Sequence, residues 1–354
     1  MLRVGIIGMG FGAAVHLPAF RARRDVTLVA VADSGSGRAE QEAARYGGTL
    51  RPFSSGLSLA KWDGVDMVSI AAPPREQEDL VRAALIAGKH VLCEKSFCLS
   101  ADAANKLAAL AHERQLTGAV FYEFRYDPGI RSLIEMVRAG EIGKVQRLAV
   151  TWQTSGALDQ KRAWSWRHDA AQGGGVLVDW FSHVADYAQQ IAQSPVSSVW
   201  ARAATNVAER CDRNGTTRRV TAPDECDVIC NFTNGVTGVF SVTTACAAPV
   251  GHRIEVIGDR GMIAFDHPPP FSADGRTLRI VRGDGEETRV ALNLKSSCAD
   301  QRIAAATELI ADFLAVLRGE SRPLLPTFSE GAATWGILEA AVFASADDCQ
   351  REVR

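Results

Sequence analysis

The chain has 354 residues, of which 47% are hydrophobic and 23% are charged, and its formal net charge at pH 7 is −2. This composition is typical of a globular protein with large apolar cores and excludes an intrinsically disordered chain. The balanced charge, without a long basic run, argues against nucleic acid or an anionic membrane as the partner. At roughly 100–200 residues per domain, the length predicts two domains.

The cysteines are scattered and form no C-x-x-C pair; they are Cys93, Cys98, Cys211, Cys226, Cys230, Cys246, Cys298 and Cys349. A chain of this size needs no disulfide framework, and zinc-ligand spacing is absent, so we predict no metal site. We expect reduced thiols in a cytoplasmic protein, most of them buried. The start MLRVGIIGMGFG indicates a strand and its turn rather than a signal peptide. Without about 18 uninterrupted apolar residues, no membrane span is expected.

Apolar runs alternate with helical patterns in the N-terminal third of the chain. Strands are predicted at 2–8, 26–33, 65–74, 90–95 and 116–124, and helices after the first turn and at 36–47, 76–89 and 100–115. This alternation predicts a parallel sheet with helices on both faces.

From about residue 145, strands follow one another with tight turns, of which 233–236 and 283–286 look like hairpin turns. The second sheet should therefore be large, open and mostly antiparallel. Helices are predicted at about 174–191, 301–318 and 329–348. The fold class is α/β, with domains at 1–124 and 125–354, and the last helix can pack back on the first domain.

The stretch GMGFGA at 8–13 directly follows the first strand and opens a helix. A G-x-G-x-x-[GA] pattern in this context predicts a dinucleotide-binding Rossmann domain, although a merely structural glycine turn is the alternative. Gly8 would allow the tight turn, Gly10 would let a pyrophosphate approach the backbone, and Ala13 would permit close helix–strand packing.

Asp33 ends the second strand, about 20 residues beyond the glycine turn. An acidic side chain there binds the ribose hydroxyls of the cofactor and repels a 2′-phosphate. The first arginine that follows is Arg38, so NAD is favoured over NADP. Asp33 can also be a turn-forming residue at a strand end, and both interpretations can hold together.

The stretch GGGVLVDWFSH places Asp179 and His183 four residues apart on a predicted helix. Residues at this spacing share one helix face, so the carboxylate could orient the imidazole ring. The pair alone is compatible with an ordinary surface ion pair or with half of a proton-transfer site.

Three stretches, the glycine turn, AAPP followed by AGKHVLCEKS, and GGGVLVDWFSH, together resemble the family named for glucose–fructose oxidoreductase, inositol dehydrogenase and MocA. The resemblance continues in HRIEVIGDRGMIAFD and PTFSEGAATWGILEA near the end. It implies a Rossmann domain followed by a domain whose open sheet often forms an oligomer interface, here a homodimer or homotetramer. It also implies hydride transfer between NAD(P) and a ring alcohol or ketone of a sugar or cyclitol.

The resemblance assigns the catalytic role to Lys95. It also matches Asp179 and His183 to the Asp and His of the family's helix that follows a run of glycines. His183 would accept the hydroxyl proton, Asp179 would orient its ring, and Lys95 would stabilise alkoxide character. The residues expected to contact the cofactor are Gly8, Gly10, Phe11, Gly12, Ala13, Asp33, Ala72, Pro73, Glu94 and Lys95.

Three positions depart from the family pattern and suggest a branch with an altered substrate. Ser96 replaces a proline, Gln77 stands where many members have a histidine, and Glu123 stands where an asparagine is frequent. His16, after the glycine turn, is interpreted as structural.

The loop 155–172 precedes the helix of the proton-transfer pair, and its aromatic and basic residues suit a sugar ring with an anionic group. The candidates for substrate contact are Trp164, Trp166 and Arg167 of this loop, with Tyr122 and Arg125 after the fifth strand. The alternative for the loop is a packed crossover with solvated charges, and the alternative for Tyr122 and Arg125 is packing between the domains. Two other functions stay open: a reductase of nucleotide-linked keto-sugars, and a regulator that binds NAD without turnover.

Overall fold

The computed structural model describes residues 1–292 and 300–353, and the chain divides into two compact units. Of the described residues, the first unit comprises 1–126 and 300–332, and the second comprises 127–292 and 333–353. The first boundary lies close to the predicted one. The sequence predicted one continuous second domain, 125–354, whereas in this division the chain returns to the first unit before its last helix ends.

Within the described residues, the helices in chain order are α1 (Leu17–Arg21), α2 (Arg38–Arg45), α3 (Gly56–Ala60), α4 (Pro74–Ile86), α5 (Ala101–Glu113), α6 (Pro128–Arg138), α7 (Val176–Asp179), α8 (Phe181–Ala192), α9 (Arg302–Leu317) and α10 (Phe328–Asp347). Two shorter helical turns bear on the site: a π-helical turn, Gly12–His16, and a 3-10 turn, Glu123–Tyr126. The helices α3 and α6 were not predicted.

The strands are β1 (Leu2–Ile7), β2 (Val26–Ala32), β3 (Arg51–Phe53), β4 (Met67–Ile70), β5 (His90–Glu94), β6 (Gly118–Phe121), β7 (Val145–Gln153), β8 (Val196–Ala204), β9 (Glu209–Cys211), β10 (Thr217–Arg219), β11 (Glu225–Phe232), β12 (Thr237–Thr243), β13 (His252–Gly258), β14 (Gly261–His267), β15 (Thr277–Arg282), β16 (Glu287–Arg289) and β17 (Arg351–Glu352). The predicted hairpins β11–β12 and β15–β16 are both confirmed.

The first unit contains a parallel sheet whose described strands lie in the order β3-β2-β1-β4-β5-β6. Successive residues of β4 are all buried, as are the last four of β1, although neighbouring side chains on a strand point to opposite faces. Both faces are therefore covered, which confirms the predicted Rossmann-type architecture. The strand order reverses between β1 and β4, and in such sheets ligands bind beyond the carboxyl ends of the strands at that point.

The returning segment belongs to the first unit because α9 is apolar along the side that it presents to that unit. It packs against α1, β6 and the turn Glu123–Tyr126, and it buries Leu309, Ile310 and Phe313. Farther along, the backbone N–H of Val120 donates to the carbonyl of Pro326 at 2.8 Å, which continues the edge of β6.

The second unit contains a large sheet in the order β16-β15-β14-β13-β7-β12-β11-β8-β17 over the described residues. All neighbouring strands are antiparallel except β7 and β12. The predicted mostly antiparallel open sheet is confirmed.

Burial alternates along the strands of this sheet, because only one face is covered. In β11 and β13 every second residue is buried, and α6 and α8 pack against β7, β12, β14 and β15. The opposite face mixes apolar and charged side chains. Ile229 of β11 and Ile257 of β13 are 38% and 39% exposed, and Arg253 and Glu255 lie on the same face of β13 as Ile257.

The single helix predicted at about 174–191 is wrong. The structure has two helices, α7 and α8, separated at Trp180, whose backbone angles are φ −112° and ψ −50°. The indole of Trp180 packs edge-on against Trp152 of β7, with ring centroids 4.6 Å apart. This contact lies between the end of α7 and the start of α8. Asp179 is the last residue of α7, and His183 lies in the first turn of α8.

Candidate active site

The glycine turn after β1 assigns a different task to each glycine. Gly8 has φ +100°, and a Cβ there would lie 2.5 Å from the carbonyl oxygen of Ala71. A Cβ on Gly12 would meet the Cβ of Ala71 at 3.2 Å, so Gly12 permits the close helix–strand approach predicted for Ala13. Gly10 is exposed, and a Cβ there would meet nothing within 4 Å. Its backbone is therefore open to a ligand, as pyrophosphate binding requires.

Asp33 is buried beyond the end of β2 and accepts four hydrogen bonds. Its Oδ1 accepts from the N–H of Gly35 at 2.9 Å, and its Oδ2 accepts from the hydroxyl of Ser36 at 2.6 Å. Oδ2 also accepts from the N–H groups of Arg38 at 2.8 Å and Ala39 at 3.3 Å, at the start of α2. Burial alone would raise the pKa of Asp33, but these four donors outweigh it and lower the pKa to about 2. Asp33 is therefore a helix-capping carboxylate that is ionised at neutral pH.

Gln77, on α4, connects the loops that follow β4 and β5. Its fully buried amide donates to the carbonyls of Ala72 at 3.0 Å and Lys95 at 3.4 Å, and its Oε1 accepts from the N–H of Cys98 at 2.9 Å. Pro73 lies between these groups in sequence and immediately precedes α4. Gln77, one of the three positions that depart from the family pattern, is thus a structural amide that is hydrogen-bonded to the backbone of Lys95.

Glu94, the last residue of β5, belongs to a buried polar chain. Its Oε1 lies 3.0 Å from Nε2 of His16, and Nδ1 of His16 lies 2.7 Å from the hydroxyl of Ser69. The imidazole also stacks on Phe121 at 4.2 Å between centroids and meets the ring of Phe11 edge-on at 5.5 Å. Burial lowers the pKa of His16 to about 3, so this imidazole is neutral at physiological pH.

Glu123 is a second buried carboxyl group. It lies just beyond the end of β6, the strand that pairs with β5. Burial, and next the charge of Glu94, raise the pKa of Glu123 to about 8, although Lys95 and Arg302 act in the opposite direction. The remaining departure, Ser96, is buried directly after Lys95, and the peptide bond between them is cis. Two of the three departures, Ser96 and Glu123, therefore adjoin the predicted catalytic lysine.

In the second unit, Asp179 and His183 are only 9% and 4% exposed. Oδ2 of Asp179 lies 3.4 Å from Nε of Arg167, which is itself half exposed. The backbone N–H of His183 donates to the carbonyl of Trp180 at 3.1 Å. The pair is therefore buried, and its carboxylate has a cationic partner that the sequence pattern did not indicate.

Aromatic rings surround this pair. Trp152 stacks on His252 at 4.3 Å between centroids, and its ring centroid lies 6.3 Å from that of His183. The hydroxyl of Tyr187 lies 2.9 Å from Nε2 of His252. Burial lowers the pKa of His252 to about 3, so it is a neutral ring that stacks on Trp152. The strand HRIEVIG carried no local signal for this role.

The predicted substrate loop, 155–172, is held from beneath by Arg210 of β9. This buried guanidinium donates to the carbonyls of Asp159 at 2.8 Å and Arg162 at 3.0 Å, and also to the carbonyl of Ala157. Burial lowers the pKa of Arg210. The loop thus has a fixed course over this stretch, set by a residue that the sequence did not single out.

The aromatic candidates of the loop differ in their surroundings. The indole N–H of Trp164 donates to the carbonyl of Arg219 at 3.2 Å, so this ring packs on the β9–β10 hairpin. Trp166 is half-buried, and the guanidinium of Arg167 lies over its ring at 4.4 Å. Arg167 therefore lies between Trp166 and Asp179, whereas Trp164 supports the loop.

Tyr122 and Arg125 pack inside the first unit. Both side chains are buried. The Arg125 guanidinium donates to the carbonyl of Leu324 at 3.2 Å and forms an ion pair with Glu330 at 3.2 Å, all within the first unit. Arg125 thus fixes the returning segment, and we no longer expect it to contact substrate.

Seven cysteines lie in the described residues and none of them forms a disulfide; Cys298 lies outside these residues. Within the same ranges, no group of three or more His, Cys, Asp or Glu side chains is arranged to hold a metal ion. No helix among the described residues has the length and apolar character needed to cross a membrane.

Both units match models of known protein families. Residues 2–122 match the oxidoreductase family with an NAD-binding Rossmann fold, and residues 130–264 match the GFO/IDH/MocA C-terminal domain. The two matches together cover most of the chain and meet near the boundary between the units.

Curated relatives and solved structures extend this similarity. An uncharacterised oxidoreductase of Synechocystis is 30% identical over 314 residues, which covers 79% of this chain and 84% of that protein. Inositol 2-dehydrogenase of Rhizobium meliloti is 26% identical over 351 residues, which covers 99% of this chain and 98% of that protein. A structure of levoglucosan dehydrogenase with NADH and L-sorbose superposes with a TM-score of 0.89 at 22% identity, and covers 100% of this chain and 99% of the other. The last likeness concerns the fold alone.

Proposed function

The chain belongs to the GFO/IDH/MocA family of NAD-binding oxidoreductases, and we propose that it interconverts a ring alcohol and ketone of a sugar or cyclitol with NAD. The observation that carries this proposal is the burial of Asp179 and His183 among aromatic rings. A surface ion pair would be solvated and worth little. The name of one relative, inositol 2-dehydrogenase, supports the substrate class.

The first unit has residues that fit the cofactor. Gly10 offers open backbone for the pyrophosphate, and the ionised Asp33 offers acceptors for ribose hydroxyl groups. Bound NAD would supply the hydride acceptor for alcohol oxidation. The protein's own residues would position the substrate and move the proton.

His183 is the proposed base for the hydroxyl proton, which leaves as hydride departs from the same carbon. A neutral imidazole can accept a proton through a ring nitrogen and give it back from its cationic form, which is what a base at this position must do. Asp179 would orient the ring and stabilise its cationic form. Lys95 would stabilise the negative charge that develops on the substrate oxygen. In the reverse direction, protonated His183 would donate the proton to the forming alcohol.

The preference for NAD over NADP follows from the charge at Asp33. A carboxylate with a pKa of about 2 is ionised at neutral pH and repels a 2′-phosphate. Arg38 is exposed at the start of α2, but its backbone N–H is bound to this same carboxylate. We therefore expect NAD to bind at least tenfold more tightly, or about 1.4 kcal/mol.

A reductase acting on a nucleotide-linked keto-sugar is the second candidate, and Arg167 is the observation that favours it. The Arg167 guanidinium is half exposed beside Asp179, so its remaining N–H groups can bind a phosphate. A preference for nucleotide-linked over free keto-sugars, lost in Arg167→Gln, would identify this activity.

We also propose a homodimer or homotetramer assembled through the uncovered face of the second sheet. Its exposed Ile229 and Ile257 support an interface, and the charged Arg253 and Glu255 on the same face would set the register of the two copies.

Steady-state kinetics of four variants, against a panel of cyclitols, aldoses and nucleotide sugars, tests the catalytic assignment. His183→Ala should reduce kcat roughly 10²–10⁴-fold and remove the acidic limb of the pH–rate profile. Lys95→Met should retain NAD affinity and lose most turnover. Asp179→Asn should cost less than His183→Ala, and the double variant of Asp179 and His183 little more.

Two controls isolate these effects. His112→Ala removes an exposed histidine of α5 and should behave as wild type. Arg167→Gln removes the other partner of Asp179, so it shows whether Asp179 acts through His183 or through the ion pair. Turnover of His183→Ala within about threefold of wild type contradicts the assignment of the base. NAD binding without turnover of any substrate would instead indicate a regulator.

A further inference from the structure

Lys95 and Glu123 lie just beyond the carboxyl ends of two neighbouring parallel strands, β5 and β6. Strands β5 and β6 are parallel, with Glu94 opposite Phe121, so the residues that follow each strand emerge at the same edge. The Glu123 side chain is only 5% exposed. The helix α9 packs against the turn that begins at Glu123, and Arg302 is the first residue of this helix.

The charged groups that act on Glu123 include Glu94 at the end of β5, Lys95 directly after it, and Arg302 on α9. Glu94 is hydrogen-bonded to His16, whose burial keeps it neutral, so His16 contributes no positive charge. The Arg302 guanidinium forms an ion pair with Asp300 at 2.6 Å, which offsets much of its charge. The net charge of Glu94, Lys95 and Glu123 taken together therefore depends on whether Glu123 is protonated.

Burial of Glu123, followed by the Glu94 charge, raises the pKa of Glu123 to about 8. Below this pH the Glu123 carboxyl is neutral, and above it the group becomes an anion beside Lys95. An anion near an ammonium group favours its charged form and reduces the net positive field that the pair presents.

We propose that Glu123 is a charge-setting residue for the reaction: its neutral carboxyl leaves the positive field of Lys95 available to the developing alkoxide, and its carboxylate cancels that field. This inference rests on the proposed function, because it takes Lys95 as the group that stabilises the substrate oxygen. A branch with asparagine at this position would lack the control, since an amide does not titrate.

The pH dependence of Glu123→Gln tests the proposal, because glutamine has the shape of the protonated carboxyl and cannot ionise. In wild type, kcat/KM should fall about tenfold between pH 7 and pH 9, as expected for loss of one neutral group that titrates near pH 8. In Glu123→Gln this fall should be absent. Glu113→Gln, which alters an exposed glutamate of α5, should retain the wild-type fall.

Acetylation of Lys95, followed by peptide mass spectrometry, measures the same coupling without substrate. At pH 9, Lys95 should react several-fold faster in Glu123→Gln than in wild type, relative to the exposed Lys61 of the same sample. At pH 7 the two proteins should react alike, because the side chain at position 123 is then neutral in both: a protonated carboxyl in wild type and an amide in the variant.

The two measurements separate the possible failures. Equal reactivity of Lys95 at pH 9 overturns the proposal, whatever the substrate is. A difference in reactivity with the same pH dependence of kcat/KM shows that the charge of Glu123 does not act on the reaction, which also overturns it. If wild type turns over no sugar or cyclitol but Lys95 reactivity differs, the proposed function fails and the control of Lys95 by Glu123 is supported.

Discussion

Replacing Asp33 with asparagine removes one negative charge while almost preserving the shape of the side chain. The carboxylate accepts four hydrogen bonds, and its pKa in the folded protein is about 2, against an ordinary value of 3.8. At about 1.4 kcal/mol per pKa unit, the ionised form contributes about 2 kcal/mol to folding. Because the folded pKa is the lower one, this contribution is present above pH 3.8 and is lost as the pH falls through about 2.

Asp33→Asn should therefore lower the free energy of unfolding at pH 7 by about 2 kcal/mol. For a unit of this size, that corresponds to a decrease in Tm of about 4–8 °C. The asparagine should also narrow the affinity gap between NAD and NADP, because the charge that repels the 2′-phosphate is gone. Urea unfolding measures the first effect, and calorimetric titration with each dinucleotide measures the second.

Ser36→Ala is the matched control, since it removes only the 2.6 Å hydrogen bond to the same carboxylate. It should cost about 1 kcal/mol of stability and leave the cofactor preference unchanged. Unchanged stability of Asp33→Asn at pH 7 would refute the capping argument. Equal or tighter binding of NADP to wild type would refute the charge argument, independently of the stability result.

Three further predictions concern the turn, the sheet and the loop. Gly10→Ala should fold normally but bind NAD weakly, whereas Gly8→Ala should be destabilised by its contact with the Ala71 carbonyl; equal stability would contradict this division. Ile229→Lys should convert the oligomer into a monomer in light scattering, and a monomeric wild type at micromolar concentration would refute the interface. Arg210→Met should accelerate trypsin cleavage in the loop that it holds, and an unchanged cleavage rate would show that the three carbonyls are held otherwise.

The sequence predicted the features that depend on local pattern. Apolar runs such as LRVGII are buried on both faces, so strand–helix alternation correctly indicated a parallel sheet. The helix α6 was missed although its start signals are present: Asp127 caps it by accepting from Gly129, and Pro128 is its first residue. Better use of these signals would have found it.

Other features depend on partners that are distant in the chain. The stretch VLVDWFSH has an uninterrupted helical pattern, and the break at Trp180 coincides with its contact to Trp152 of β7. Sequence alone could not distinguish the buried Arg125 from the half-exposed Arg167, because burial depends on where α10 and the loop pack. The raised pKa of Glu123 likewise requires knowledge of Glu94 and of the surrounding apolar groups.

The amide of Gln77 has a consequence for how this site can diversify. All three of its partners are backbone atoms, those of Ala72, Lys95 and Cys98. Such a brace fixes the spacing of the two loops without specifying any side chain in them. Through this contact, the main-chain frame that carries Lys95 does not depend on the identity of the side chains at Ala72 and Cys98.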